Sequence, residues 1–286
     1  MSKLFREMQE AAPSKAGASV ATMAMTELLT TVKAETQATR AVTSAPLLEC
    51  QKVTLRTMER PILLSSSEDV ATHNAFEAYR SLRTKITRLQ SSQGIRSLAV
   101  SSAVAGEGKT VSAFNLAISL SQLETQRVLL IDGDIRTAGL STVAGVSDKM
   151  GLSEVLHGQC EFSNAVLATN LPRLYMVSAG EPTSGAADLF ACSKWKEFVG
   201  WCNEIFDMVV VDCPPILGLA DFDLISAACD GVMIVVRARR TKRETLTEMS
   251  QHLQGKKVLG VVLNGQEKRQ SNYYGYHYYS RAKAGA

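Results

Sequence analysis

The chain has 286 residues, 45% of them hydrophobic, and a formal net charge of +3. That is apolar content for one domain-sized core, and too small a basic excess for a nucleic-acid footprint, so no nucleic-acid partner is expected. Six cysteines, at 50, 160, 192, 202, 213 and 229, form no C-x-x-C pair and no metal-ligand spacing, which fits a reducing compartment. No window approaches the roughly 18 consecutive apolar residues of a membrane span, and the start lacks a basic stretch followed by an apolar run. A cytoplasmic chain with no direct membrane span is therefore expected.

Residues 1–64 read as an extension, rich in Ala, Thr, Ser and Met, largely without stable order. Within it, Ser2–Ala11 and Val20–Lys33 are candidate short helices. Serines 65–67 are placed to cap a helix over 68–90, in which Phe76, Tyr79, Leu82, Ile86 and Leu89 recur at helical spacing. Glu77, Arg80 and Arg83 share one stripe of that helix. As an intrahelical pair such a stripe is worth a few tenths of a kcal/mol; the other reading is a contact to a neighbouring subunit.

Beyond this helix the spacing predicts strands over 97–102, 127–132, 175–178, 208–212, 232–237 and 258–264. Helices fill most gaps, over 110–123, 187–206 and 241–253 among them. Short, almost wholly apolar strands suit a parallel sheet buried on both faces. The expected fold is a doubly wound α/β layer structure over 65–268, with ligands beyond the carboxyl ends of the strands. Residues 269–286 form a tyrosine-rich flexible tail. The run Arg237–Arg243 is strongly basic, either a solvated face or a contact to acidic partners or anionic lipid.

Three strand ends carry chemistry. Ser101–Ser112, SSAVAGEGKTVS, joins a strand to a helix as a phosphate cradle does: Ala105, Gly106, Glu107, Gly108 and the residues to Val111 offer backbone N–H groups at a helix N-terminus. Lys109 supplies a cation for the β- and γ-phosphates and Thr110 a hydroxyl for Mg²⁺. The pattern departs from G-x-x-x-x-G-K-[ST] at Ala103, a small residue expected to be tolerated. Asp132-Gly133-Asp134-Ile135-Arg136 then follows one apolar run, and Asp212 ends another before Cys213-Pro214-Pro215. Carboxylates at such positions converge on one hydrated Mg²⁺. ATP and Mg²⁺ are the expected cofactors.

SSAVAGEGKT, LLIDGDIR and VVVDCPP resemble the Walker A, A′ and B motifs of the bacterial tyrosine kinases, and EAYRSLR at 77–83 resembles their E-x-x-R-x-x-R oligomerisation motif. The likeness runs from about Glu68 to the C-terminus. It implies a MinD-like P-loop fold, a ring-like homo-oligomer, and autophosphorylation of the cluster Tyr273, Tyr274, Tyr276, Tyr278 and Tyr279. Thr110, Asp134 and Asp212 would hold the metal and its waters. Asp132 would orient or deprotonate the incoming tyrosine hydroxyl, with the roles of Asp132 and Asp134 open to exchange. Arg136 would balance charge or bridge to a neighbour, and Asn264 would either contact adenine or merely end its strand. The resemblance further implies regulation of polysaccharide polymerisation and export, with a membrane-spanning co-polymerase partner recruiting the chain to the inner face of the plasma membrane. Two alternatives stand beside it: a MinD- or ParA-like ATPase acting in positioning, which normally carries a lysine where this chain has Val104, and a regulatory homologue with a weakened site.

Overall fold

The computed structural model describes residues 50–55 and 70–265. The candidate N-terminal helices, the serine cap at 65–67 and the whole tyrosine cluster lie outside them. Eight strands form one sheet: β1 (Gln51–Val53), β2 (Ser97–Ser102), β3 (Val128–Asp132), β4 (Leu167–Thr169), β5 (Leu174–Val177), β6 (Met208–Asp212), β7 (Gly231–Arg237) and β8 (Val258–Asn264). Their order is β1-β4-β5-β3-β6-β2-β7-β8. All neighbours are parallel except β4 and β5, an antiparallel pair in which Leu167 faces Met176.

The central strands are apolar because helices cover both faces. Every residue of β2, β3 and β6 is buried. Helix α1 (Val70–Gln93) lays Ile86 into this core and packs Phe76, Tyr79, Leu82 and Leu89 against it, as their spacing predicts. Helix α2 (Lys109–Ser121) is buried from Ser112 to Ser121, sandwiched between the sheet and α1. Short helices α3 (Gly139–Ala144) and α4 (Leu152–His157) follow β3.

Two expectations need correcting. Residues 51–53, assigned by sequence to the extension, form a strand of the sheet and pair with β4; three residues are too few to show an alternating pattern. The helix expected over 187–206 is two helices, α5 (Ala186–Ala191) and α6 (Ser193–Ile205), separated by the extended Cys192 at ψ 158°. On one continuous helix Phe190 and Trp195 would lie about 140° apart. The break brings both into the core as an edge-to-face pair 5.3 Å apart, with Trp195 Nε1 donating to the Ile225 carbonyl at 3.2 Å.

Helices α7 (Asp221–Ala227) and α8 (Arg243–His252) flank β7. The β8 edge is covered far less, with Val261 62% exposed. No helix among the described residues is long and apolar enough to cross a membrane.

Candidate nucleotide site

The site is built where β2, β3 and β6 end. From β2 the chain passes through residues 103–108 into α2, whose first turn carries Lys109, Thr110 and Val111. Gly106 and Gly108 have φ of 82° and 95°, backbone that favours glycine. Gly108 also lies against the Asn264 side chain, whose amide a Cβ there would displace. Ala105 and Gly106 are exposed above the α2 N-terminus, while Glu107 turns inward. The Glu107 carboxylate accepts from the Val104 N–H at 3.1 Å and from the Thr241 hydroxyl, and its carbonyl accepts from Asn264 Nδ2 at 2.9 Å. Asn264, at the end of β8, thus braces the loop directly. Ala103 is fully buried, where a small residue suffices.

Gly133 lets the next loop cross the end of β6. Its N–H donates to the Asp212 carbonyl at 2.8 Å, and a Cβ there would stand 2.9 Å from that oxygen. This crossing delivers Asp134 to Lys109, with Nζ 3.0 Å from Asp134 Oδ2 and 3.8 Å from Asp212 Oδ1. Burial opposes the charge on Lys109, but Asp212 and Asp134 outweigh it and hold its pKa above the usual value.

Asp132 and Asp212 are register partners on β3 and β6, and both are fully buried. Asp132 Oδ2 accepts from the Ser141 N–H at 2.8 Å and the Ser141 hydroxyl at 2.7 Å, while Oδ1 accepts only a 3.3 Å contact from the Asp134 N–H. Burial raises its pKa to about 6 against those bonds. Neither oxygen of Asp212 has a hydrogen bond of good geometry among the described residues; Lys109 Nζ stands 3.8 Å from Oδ1 and the Thr110 hydroxyl approaches only loosely. Burial pushes Asp212 to about 7, with Lys109 and the adjacent Thr110 favouring its ionised form.

A buried carboxylate with two unsatisfied oxygens, beside a lysine and a threonine hydroxyl at a helix N-terminus, fits a cation carrying its own waters. Among the described residues no three His, Cys, Asp or Glu side chains gather tightly enough to hold a metal alone. Mg²⁺ takes one or two carboxylates and completes its shell with water and substrate phosphates.

Arg136 is engaged within its own chain. Its guanidinium grips the buried Asp221 in α7, Nε to Oδ2 at 2.5 Å and Nη2 to Oδ1 at 3.1 Å, and donates to the Ser184 carbonyl at 2.8 Å. On α1, Glu77 and Arg80 form the intrahelical pair at 3.0 Å, both well exposed. Arg83 leaves that stripe and donates to the Ser119 carbonyl at 2.8 Å, near the end of α2. Ser141, Asp221 and Thr241 support the site but escape the sequence reading. Asp221 carried the best available signal, an acid opening a helix soon after a strand that ends in Asp.

The cradle, the crossing aspartate loop and the acid at the neighbouring strand end define a P-loop fold of the MinD-like type. The structure is similar to that of MinD from Pyrococcus horikoshii, solved with Mg-ADP (TM-score 0.50, 26% identity, 61% of this chain and 72% of that one). It is closer to the kinase domain of the Escherichia coli tyrosine kinase ETK, at TM-score 0.64 and 26% identity over 79% of this chain and 93% of that one. The AAA domain family model matches residues 95–258. Tyrosine-protein kinase YwqD of Bacillus subtilis is 33% identical over 204 residues, 70% of this chain and 85% of the relative. Tyrosine-protein kinase wzc of Salmonella typhi is 32% identical over 247 residues, 82% of this chain but 34% of that longer protein. The chain belongs to the bacterial tyrosine kinase family.

Proposed function

We infer that the protein is an ATP-dependent protein-tyrosine autokinase whose acceptors are Tyr273, Tyr274, Tyr276, Tyr278 and Tyr279. The observation that carries this reading is the buried, under-bonded Asp212 carboxylate beside Lys109 and Thr110 where the P-loop enters α2, an arrangement that suits a metal-bound triphosphate. The named activities of YwqD and wzc and the tyrosine cluster of this chain supply the acceptor.

Mg²⁺, when bound, neutralises and orients the β- and γ-phosphates; Thr110, Asp134 and Asp212 would hold it. The N–H groups from Ala105 to Val111 cradle the phosphates, and Lys109 swings from Asp134 onto the oxygens of the group in transfer. In the transfer, the tyrosine oxygen bonds to the γ-phosphorus, the bond from that phosphorus to the β,γ-bridging oxygen breaks, and ADP leaves. The phenolic proton passes to Asp132, whose pKa near 6 lies close to working pH and whose Oδ1 is the less engaged oxygen. Asp134 is the alternative acceptor of that proton. Asn264 holds the loop, and a contact to adenine is its second assigned role by resemblance. Glu77, Arg80 and Arg83 are assigned to assembly into a ring, with Arg83 dividing its duty between α2 and that interface. Regulation of polysaccharide polymerisation, through a membrane-spanning co-polymerase that recruits the chain to the plasma membrane, extends the same reading.

The ATPase alternative is disfavoured by Val104, which is 41% exposed at the position where a lysine would reach a neighbour's phosphates. Incubation of the purified chain with Mg-ATP, followed by mass spectrometric mapping, separates the two readings. Phosphate on the tail tyrosines of the wild type, lost by about 10³-fold in Lys109→Met, is expected. ATP turnover without tyrosine modification would overturn the assignment.

A further inference from the structure

Five of the seven residues from Arg237 to Arg243 are basic, and catalysis as described leaves the outer four unused. The run connects β7 to α8 and sits at the phosphate-loop end of the sheet. Arg237 donates to the Gly106 carbonyl at 3.4 Å; Thr241 donates to Glu107 and accepts from the Arg237 N–H at 3.1 Å. Arg239, Arg240, Lys242 and Arg243 are exposed. Among the described residues Arg240, Lys242 and Arg243 have no ion-pair partner. Lys242 caps α8 and Arg243 begins it, with no side-chain cap and Glu244 as the acid of the first turn, so cations outnumber acids at the helix end that is already positive. Self-repulsion of this kind is relieved by an anion.

The chain itself brings an anion to the place. Residue 265 leaves β8 directly beside the loop, the Ala238 N–H donating to the Asn264 carbonyl at 2.8 Å. Tyr273 follows eight residues later, a reach of up to about 26–29 Å, and the other four tyrosines follow within six more. Unmodified, residues 266–286 hold four Lys and Arg against one Glu, so the loop repels them. Each phosphotyrosine adds about −1.5 to −2 charges, and five add roughly −7 to −10, which reverses the sign. Arginine forks are suited to phosphate, engaging two oxygens at once.

We propose that the loop 239–243 is a docking site for the phosphorylated tail of the same chain, repelling the tail before modification and capturing it afterwards. This rests on the autokinase reading for the source of the phosphates. Capture would hold the product tail next to the P-loop through Thr241–Glu107 and Arg237–Gly106, withdrawn from any neighbouring subunit.

The test uses the full-length chain after phosphatase treatment and a fluorescent synthetic peptide of residues 266–286, either unmodified or phosphorylated at Tyr273, Tyr276 and Tyr279. Because the phosphates are synthetic, the result does not depend on whether the protein phosphorylates itself. By anisotropy the phosphopeptide should bind at least about tenfold tighter than its unmodified twin, and Arg240→Gln/Lys242→Gln/Arg243→Gln should weaken it by at least about tenfold. Single Arg240→Gln and Lys242→Gln substitutions, each expected to cost about threefold, guard against misfolding of the triple variant. Equal affinity for the two peptides, or phosphopeptide binding unchanged by the substitutions, would overturn the proposal. So would binding to phosphatidylglycerol–phosphatidylcholine vesicles that the triple substitution abolishes while the phosphopeptide fails to bind, which would assign the loop to a membrane surface.

Discussion

The ends of β3 and β6 look alike in sequence, an apolar run closing in Asp, and the sheet sets Asp132 directly beside Asp212. Their surroundings divide them. Asp132 meets Ser141 from α3 and spends Oδ2 on two bonds, fixing the loop that carries Asp134; Asp212 is buried as deeply and meets no donor of good geometry. A satisfied carboxylate organises protein, whereas an orphaned one costs stability and is kept where a cation will repay it. One strand end therefore anchors its loop through Oδ2 and keeps Oδ1 lightly engaged, while its neighbour presents a buried carboxylate with no such bonds.

The sharpest way to break this contrast is Asp212→Asn. Phosphotransfer should fall by about 10²–10³-fold, and stabilisation by Mg-ATP should largely vanish. Yet the metal-free protein should become more stable at pH 8. The folded pKa of Asp212, about 7, lies above its ordinary value of 3.8. Its contribution to stability is thus full below pH 4 and lost as pH rises through 7. Thermal melts of the metal-free wild type should fall over that window, and Asp212→Asn should flatten the fall, raising Tm at pH 8 by roughly 2–6 °C. A loss of stability at pH 8 would mean the carboxylate is satisfied after all.

The converse variant, Ser141→Ala, strips a hydroxyl from Asp132 and orphans the Ala179 N–H that donates to Ser141 Oγ at 2.8 Å. It should cost about 1–3 kcal/mol in urea melts. Because hydrogen bonding favours the ionised acid, the acidic limb of the pH–rate profile should also move upward from about 6. A profile that stays put would remove Asp132 as the proton acceptor.

The smallest effect is expected at Arg136→Lys, which keeps charge but loses the fork on Asp221. A fall of about three- to tenfold in kcat with KM for ATP nearly constant would mark Arg136 as a positioning residue. An equal loss in Asp221→Asn that does not add to it would confirm that the two act as a pair.

Much of this was legible beforehand. The strands 97–102 and 208–212 match their predicted limits, because unbroken apolar runs ending in a polar residue are what a doubly covered parallel strand requires; 258–264 matches too, although β8 is a largely exposed edge. Lys109, Thr110, Asp134 and Asp212 are brought together as the spacing of their motifs implies. β1, the break at Cys192 and the partners Ser141, Asp221 and Thr241 were not legible, since each depends on a contact remote in sequence and on no local pattern.

By itself, then, the sequence determined the class of fold, the identity of the cradle and the supply of acids, all properties of local periodicity and residue type. Only the tertiary structure decided which acid is satisfied and which is open, where Arg136 and Arg83 spend their charges, and that the basic loop lies between the phosphate loop and the departure of the tail. Charge and hydrogen-bonding capacity are written in the residues; whether they are satisfied depends on what the folded chain places opposite them.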